Sequence, residues 1–455
     1  MKIVIVGAGK VGSTLADQLT REGHDIILID NDRDVVRRIS DELDVLTVYG
    51  NGASLDVQKD ADVEHSGLLI AVTPQDELNL MCCILARKLG CQNTIARVRN
   101  PEYARQSYFL KDELGLSMIV NPEWTTAREI FRLMQFPAFM KRDSFAKGRA
   151  DIVEILIKEG SFLDGVVLRE LHKKMSIRVL VCAVQRESEV IIPDGSFRLE
   201  AGDKIYVTAP TTDLVELTRI IGAKNHKAKN VLIIGGSRIA EYLTDMLIKT
   251  GARVKIIEKD YERSLFLAET FPEAIIINAD GSSQGVLRAE NAAQVDTLIT
   301  LTNMDEENLI ISFYANHIGV PQVITKVNRT EYTELFRDKG IYRAFSPKLM
   351  CADNIIRYVR AMQNTEGSAI LSLHHLVNDQ VHALECNVTE KTLHLGKTLA
   401  EIQLKPNLLV ACINRMGRVI IPSGKDTLRV GDTVVVVTTT DRVILDLNDI
   451  FVQEV

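Results

Sequence analysis

Three glycines near the start of the chain, Gly7, Gly9 and Gly12, have the G-x-G-x-x-G spacing of a phosphate-binding loop. They follow the apolar run Lys2–Val6 and precede a helical pattern, which places them between a strand and a helix. In such a turn the first glycine permits a tight bend, the second lets the backbone approach a pyrophosphate, and the third brings the helix close to the strand. The free N–H groups at the helix start hold the anion. The alternative is a glycine-rich turn without a ligand; the binding interpretation assigns Gly7, Ala8, Gly9, Lys10 and Val11.

An acidic residue stands where a ribose-binding carboxylate is expected. Asp30 ends the next predicted strand, 18 positions after Gly12. A carboxylate there accepts hydrogen bonds from ribose hydroxyls and repels a 2′-phosphate, so NAD is favoured over NADP. Thr73 follows the fourth strand at the same sheet edge, next to the ribose or the nicotinamide half, and Arg97 ends the fifth strand, within reach of a phosphate. Local capping or a surface ion pair stays open as the alternative for Thr73 and Arg97.

The residue types that a catalytic site would need do not form a set. No tyrosine is followed four positions later by lysine, which excludes the short-chain dehydrogenase pair. The nine histidines have no metal-ligand spacing. His374, His375 and His382 come closest, and a strand and turn is the preferred interpretation there. We therefore assign no catalytic residue and no metal ligand, and expect a binding protein rather than an enzyme.

The sequence is a tandem duplication. "VTPQDELN" from Val72 matches "LTNMDEEN" from Leu301 at a shift of 229 positions, and "IVGAGKVG" from Ile5 matches "IIGGSRIA" from Ile233 at a shift of 228. In the second loop Ser237 replaces Gly9, which adds a side chain beside the pyrophosphate path. Nucleotide binding at this altered loop stays open, with a ligand that can differ from that of the first. Its candidate residues are Gly235, Gly236, Ser237, Arg238, Ile239 and Glu258.

Each copy alternates short apolar runs with amphipathic helical stretches and then ends in a smaller module with turn residues such as "PDGS". This order predicts an α/β fold of two tandem Rossmann-like, doubly wound parallel-sheet domains, each followed by a small α+β module. The predicted limits are 1–145 and 228–362 for the Rossmann domains and 146–222 and 363–455 for the modules.

Composition limits the classes of partner. The 455 residues are 46% hydrophobic and 25% charged with a net charge of −7, so there is no basic footprint for nucleic acid. The seven cysteines form no C-x-x-C pair, which favours reduced thiols in a cytoplasm. No apolar run approaches the 18 or so residues of a membrane span. We expect no direct membrane insertion, so any membrane role must come through a partner.

Several quoted segments together resemble a known family. "IVGAGKVGSTLA", "LTVYGNGAS", "LLIAVTPQDELN" and "IARVRNPEY" are similar to the nucleotide-binding domain of the regulators of potassium conductance (RCK or KTN domains), and "VIIPDGSFRLEAGDKIYV" resembles its C-terminal companion. The resemblance covers essentially the whole chain. It implies a cytoplasmic protein, peripheral on the inner face of the cell membrane, that binds NAD(H) and in some members ATP or ADP.

The same resemblance implies partners and residue roles. It implies a homo-oligomer, a ring of dimers, beneath a membrane-embedded potassium-translocating subunit whose ion flow the ligand gates. Gly7 to Val11 would match the phosphate loop, Asp30 the ribose acid, and Arg97 the basic residue after strand five. By the same match, Thr73 and Pro74 lie near the nicotinamide ribose, and Asn51 replaces an aspartate that is frequent after strand three.

Three other interpretations stay open. The chain could regulate a different cation transporter or antiporter, because the partner surface is not readable from sequence. It could be an NAD-dependent dehydrogenase with a duplicated architecture, although a catalytic pair is missing. The small modules could also bind a cyclic dinucleotide, as those of some relatives do.

Overall fold

A computed structural model gives the structure of the chain and describes residues 1–135, 139, 142–146, 148–187, 189–221, 228–329, 343–364, 370–377, 380–439, 444 and 446–452. The first copy begins with a six-stranded parallel sheet in the order β3-β2-β1-β4-β5-β6. Its strands are β1 (Lys2–Val6), β2 (Asp25–Asp30), β3 (Leu46–Tyr49), β4 (Leu68–Ala71), β5 (Asn93–Arg97) and β6 (Met118–Val120). The helices are α1 (Lys10–Arg21), α2 (Arg33–Glu42), α3 (Leu55–Asp60), α4 (Asp76–Leu89), α5 (Pro101–Arg105), α6 (Ser107–Glu113) and α7 (Pro122–Gln135).

The first copy continues into a five-stranded antiparallel sheet, ordered β10-β9-β11-β8-β7. The strands are β7 (Arg142–Phe145), β8 (Ala150–Leu156), β9 (Leu180–Arg186), β10 (Glu189–Ile191) and β11 (Lys204–Pro210). The helices are α8 (Leu168–Lys174) and α9 (Leu214–Ile220).

The second copy repeats both sheets. Its parallel sheet has the order β14-β13-β12-β15-β16-β17, and its antiparallel sheet the order β18-β19-β22-β20-β21. The strands are β12 (Asn230–Ile234), β13 (Arg253–Glu258), β14 (Ile275–Asn278), β15 (Thr297–Thr300), β16 (Gln322–Lys326), β17 (Ala344–Phe345), β18 (Ile370–Leu376), β19 (Val381–Asn387), β20 (Leu408–Arg415), β21 (Arg418–Ile420) and β22 (Thr433–Thr439). The helices are α10 (Arg238–Lys249), α11 (Tyr261–Thr270), α12 (Gln284–Ala289), α13 (Asp305–His317) and α14 (Pro347–Asn364).

The compact units of the structure combine the copies rather than separating them. One unit is Met1–Phe131 with Asn230–Ile356, which holds both parallel sheets. The other is Arg132–Lys229 with Arg357–Val455, which holds both antiparallel sheets. The core of this second unit contains side chains of both copies, among them Phe145, Cys182, Tyr206, Leu376, Cys412 and Val437.

The position of the site follows from the strand order of the parallel sheets. β1 and β4 lie at the centre and are buried on both faces; Ile3, Ile5 and Leu69, for example, are fully buried. The chain reverses direction across the sheet between these two strands, which leaves a crevice at their carboxyl ends. Ligands of doubly wound folds bind at this point.

The predicted fold class is confirmed, and the apolar run Lys2–Val6 forms β1. The sequence from Glu102 to Leu114 has a helical pattern, and the structure forms two helices there, α5 and α6, that are separated at Gln106. The sequence reading also missed β7, which pairs with β8 from inside the predicted first Rossmann domain. The predicted domain limits stay a prediction. Within the described residues, we find no helix with the length and apolar character of a membrane span.

Candidate functional site

The glycines of the first loop have three different reasons to be glycine. Gly7 has a φ of +102°, and a Cβ there would lie 3.0 Å from the Thr73 nitrogen. A Cβ at Gly12 would lie 1.8 Å from the Gly7 carbonyl oxygen, so the helix can approach the strand only without a side chain. Gly9 has ordinary dihedral angles, and a Cβ there would meet nothing within 4 Å. The fold therefore does not need a glycine at Gly9, whereas a ligand against the backbone would.

Backbone N–H groups orient the carboxylate of Asp30. Its carboxylate accepts a hydrogen bond of 2.6 Å from the Ala8 N–H and one of 2.9 Å from the Asp32 N–H. Because a carboxylate has about four acceptor sites, this geometry fixes its direction and leaves acceptors for ribose hydroxyls.

A buried asparagine, which the sequence reading missed, joins the ends of β4 and β5. Asn79 Oδ1 accepts from both the Thr73 N–H (2.8 Å) and the Thr73 hydroxyl (2.7 Å). The Asn79 amide donates to the carbonyl oxygens of Thr73 and Arg97. Asn308 makes the equivalent contacts with Thr302 and Lys326 in the second copy. The signal was present in the sequence, since both asparagines end the duplicated segments "VTPQDELN" and "LTNMDEEN".

The first loop opens on a cavity of about 830 Å³, called the cleft below. Most predicted residues of the first site line it: Gly7, Gly9, Lys10, Val11, Asp30, Asn51, Thr73, Pro74 and Arg97. Ala8 does not line the cleft, and its N–H donates a hydrogen bond to the Asp30 carboxylate. The opposite wall belongs to the second copy and includes Ser237, Arg238, Ile239, Asn303, Lys326 and Lys348.

The charges that line the cleft are mainly positive. The cations are Lys10, Arg97, Arg99, Arg238, Lys326 and Lys348, and the acids are Asp30, Asp32 and Glu123. Glu123 is neutralised by Arg99, whose Nε lies 2.6 Å from its carboxylate, and Asp32 caps α2. Burial lowers the pKa of Arg97 and of Lys326. An anion in the cleft would offset this excess of positive charge.

Two buried polar atoms of the cleft residues also lack partners. Among the described residues, neither Arg97 Nε nor the Ser237 hydroxyl has a hydrogen-bond partner. Together with the open space at Gly9 and the acceptors of Asp30, they fit the phosphate and ribose groups of a nucleotide.

The second loop keeps the backbone of the first and changes its surroundings. Gly235 has a φ of +96°, and the Gly236 N–H donates to Glu258 just as Ala8 donates to Asp30. Gly235, Gly236, Ser237 and Glu258 line a separate cavity of about 350 Å³, whereas Arg238 and Ile239 face the cleft. The predicted residues of the second loop are thus divided between two cavities.

An ion pair covers part of the second loop. Arg263 donates from Nε to the Gly236 carbonyl (2.6 Å) and pairs with Glu241 at 3.0 Å. The residues of the first copy that correspond to Arg263 and Glu241, 228 positions earlier, are Val35 and Ser13, which cannot form an ion pair. The second loop therefore has an ion pair beside its backbone that the first loop lacks.

Family models match both copies. The model described as the TrkA-N domain matches residues 3–122 and 231–347. The model described as the TrkA-C domain matches residues 152–222 and 384–449.

Similar proteins extend over nearly the whole chain. The Trk system potassium uptake protein TrkA homolog 1 of Methanosarcina mazei is 31% identical over 444 residues, 96% of this chain and 97% of that protein. The Trk system potassium uptake protein TrkA of Vibrio alginolyticus is 29% identical over 455 residues, 99% and 98% of the two chains. Among solved structures, the GsuK channel bound to NAD has a TM-score of 0.63 at 17% identity, covering 97% of this chain and 77% of the channel. At that identity the likeness concerns the fold.

Proposed function

The chain belongs to the TrkA family, and we propose that it is a cytoplasmic, nucleotide-sensing regulatory subunit of a potassium uptake system. In this proposal it binds NAD(H), and also ATP or ADP, at the first loop. It acts as a homo-oligomeric ring of dimers, peripheral on the inner face of the membrane. Its partner is a membrane-embedded potassium-translocating subunit of the TrkH or TrkG type, and the nucleotide gates ion flow through that partner.

The observation that carries the proposal is the composition of the cleft wall. The phosphate loop and ribose acid of the first copy face Ser237, Arg238 and Lys326 of the second. A nucleotide at the first loop therefore contacts both copies at once. A ligand shifts a conformational equilibrium only by its difference in affinity for the two states. Contacts with two lobes supply such a difference, because any change in the angle between the lobes alters them.

Different residues of the chain would bind different parts of the nucleotide. Gly9 lets backbone reach the pyrophosphate, the N–H groups at the start of α1 and the Lys10 ammonium hold it, and Asp30 orients the ribose. At the second loop, Gly235, Gly236 and Glu258 offer a weaker, nucleoside-sized site. No residue is proposed to catalyse a reaction.

The test replaces Gly9 by valine. Because a Cβ at Gly9 would meet nothing within 4 Å, we expect Gly9→Val to fold, with a Tm lowered only slightly by the loss of a glycine at the N-cap of α1. It should lose the rise in Tm that NAD+, NADH, ATP or ADP causes, together with nucleotide control of potassium flux in vesicles that contain the partner. Gly285→Val, at an exposed glycine of α12, is the control and should keep both responses.

Two results would reject the proposal. One is full nucleotide stabilisation of Gly9→Val, which would remove the first loop from the site. The other is a potassium flux that stays the same with each of the four nucleotides although they bind to the wild-type protein. Steady turnover of NADH with hydroxy acids or aldehydes would instead revive the dehydrogenase interpretation.

A further inference from the structure

The outermost strand of the second parallel sheet has an open and uncharged edge. β14 (Ile275–Asn278) pairs with β13 on one side, and in the described part of the chain no strand pairs with its other side. Its sequence is Ile-Ile-Ile-Asn, and Ile275 is 58% exposed. An edge of this kind leaves backbone N–H and C=O groups with which another strand can pair, and charged residues or proline usually protect it. β14 contains neither, so its edge is available to a further strand.

The same edge of the first copy is flanked by two arginines. Arg33 of α2 stacks on Tyr49 of β3, with 4.8 Å between the guanidinium carbon and the ring centroid. Arg37 lies one turn further along the same side of α2. The residues 228 positions later are Tyr261 and Leu265 of α11, which are 65% and 46% exposed. The second copy therefore has apolar side chains beside its edge strand where the first copy has cations.

The charged side chains around β14 are divided between its two ends. The side chain of Lys259 is 74% exposed and pairs at 2.9 Å with Asp280, which follows the carboxyl end of the strand. Glu269 and Glu273 precede the amino end; both are exposed, and neither forms an ion pair with another described residue. A two-fold axis normal to the sheet brings opposite ends of two such edges together. The lysine of one chain then lies beside the glutamates of the other, so the edge is complementary to itself.

We propose that β14 pairs antiparallel with β14 of a second copy of this chain, which joins the second parallel sheets of the two chains into one continuous sheet. Antiparallel pairing keeps the two α11 helices on the same face of that sheet, so Tyr261 and Leu265 are buried between them. The edge of the first copy does not pair in this way, because two Arg37 side chains would meet at the axis. This inference rests on the proposed function in that the protein is a homo-oligomer, and it assigns one contact between the chains.

Hydrogen exchange of the full-length chain, followed by mass spectrometry, tests the pairing. The measurement is made below and above the protein concentration at which sedimentation shows the chains to associate. The amides of residues 275–278 should exchange about tenfold or more slowly in the associated protein, because strand pairing protects backbone N–H groups from solvent. The amides of residues 46–49 in β3 are the internal control and should exchange at the same rate in both states. Equal rates for β14 in the two states would overturn the inference.

A charge placed beside β14 should prevent the pairing. Leu265→Arg gives the second edge a cation like those of the first. Because Leu265 is exposed, the variant should keep the wild-type Tm while the amides of residues 275–278 lose their protection. Leu393→Arg adds the same charge at another leucine of the second copy, which is 51% exposed, and should keep the protection. Wild-type protection of β14 in Leu265→Arg would contradict the proposal.

A cross-link distinguishes a second copy of this chain from any other strand at the edge. All seven cysteines are buried, so a short bis-maleimide should leave the wild-type chain without cross-links. Leu265→Cys should give covalent dimers, because the two copies of this residue face each other across the axis. Arg37→Cys, at the equivalent position of the first copy, is the control and should give few or none.

The yields of covalent dimer decide the outcome. Equal yields for the two cysteine variants, or an oligomer that gives no cross-link with Leu265→Cys, would reject this contact alone. A chain that stays monomeric at every concentration would reject this contact together with the homo-oligomer of the proposed function. Nucleotide binding at the first loop would be unaffected by either result.

Discussion

At the scale of single residues, Lys348 has a pKa that should make the site sensitive to pH. Its pKa is lowered from the ordinary 10.5 to about 8 by burial and by Lys10, while Asp305 opposes this effect and Lys326 adds to it. Only the protonated form of Lys348 carries the positive charge that attracts an anion. We therefore expect ATP affinity to fall as the pH rises through about 8, and to fall less in Lys348→Gln. Titrations at several pH values measure this, and parallel pH profiles for the two proteins would contradict it.

The same shift determines the sign of the effect on stability. The folded-state pKa of Lys348 lies below its unfolded value, so the unfolded chain holds this proton more strongly. The cost to folding is full below pH 8, where the folded protein carries the buried charge, and disappears as the pH rises toward 10.5. Any gain in stability of unliganded Lys348→Gln should therefore be largest at neutral pH. Chemical denaturation at neutral and alkaline pH measures it.

The site residues that the sequence predicted are brought together by local spacing, whereas those it missed are brought together by packing of the two copies. Gly7, Gly9 and Asp30 belong to one local strand–turn–helix unit, and their spacing alone predicted that they would come together. Lys326 and Lys348 reach the first loop only because the second copy packs beside it. No spacing within either copy encodes that contact, so their place in the cleft required the structure.

At the scale of elements, β7 forms without the apolar alternation that usually predicts a strand. Its sequence is Arg-Asp-Ser-Phe, and it is anchored by the fully buried Asp151 of β8. Asp151 accepts two hydrogen bonds from Arg142, at 2.9 and 3.1 Å, and one of 2.6 Å from Ser144. A side-chain network across two strands thus substitutes for a hydrophobic pattern, which explains why sequence reading missed this strand.

Removing that anchor should be costly. Asp151→Ala removes the fully buried carboxylate that accepts hydrogen bonds from Arg142, Ser144 and Thr211. We expect a loss of about 3 kcal/mol or more in the free energy of unfolding, as for other broken buried pairs. Urea denaturation gives the value. Asp17→Ala breaks an exposed pair with Arg21 and is the control, with an expected loss of about 0.5 kcal/mol or less. Equal losses for the two variants would show that Asp151 does not anchor β7.

At the scale of the whole molecule, the duplication builds each compact unit from both copies. The core of the second unit contains Phe145 and Tyr206 from the first copy beside Leu376 and Val437 from the second. A chain cut after residue 221 would expose its half of this core. Since large exposed apolar patches drive association, we expect this half to form a dimer or a larger species. Analytical ultracentrifugation tests this, and a stable monomer with the Tm of the full chain would contradict it.

Fusion of the two copies has a consequence for the symmetry of the cleft. If two identical halves paired as separate subunits, any residue at the start of the seventh helix would appear twice, and the cavity between them would have two equal ends. In one continuous chain Glu123 and Lys348 were able to diverge. The two ends of the cleft therefore differ in charge, and we expect a ligand with a ribose at one end and a charged phosphate at the other to bind in one orientation rather than two.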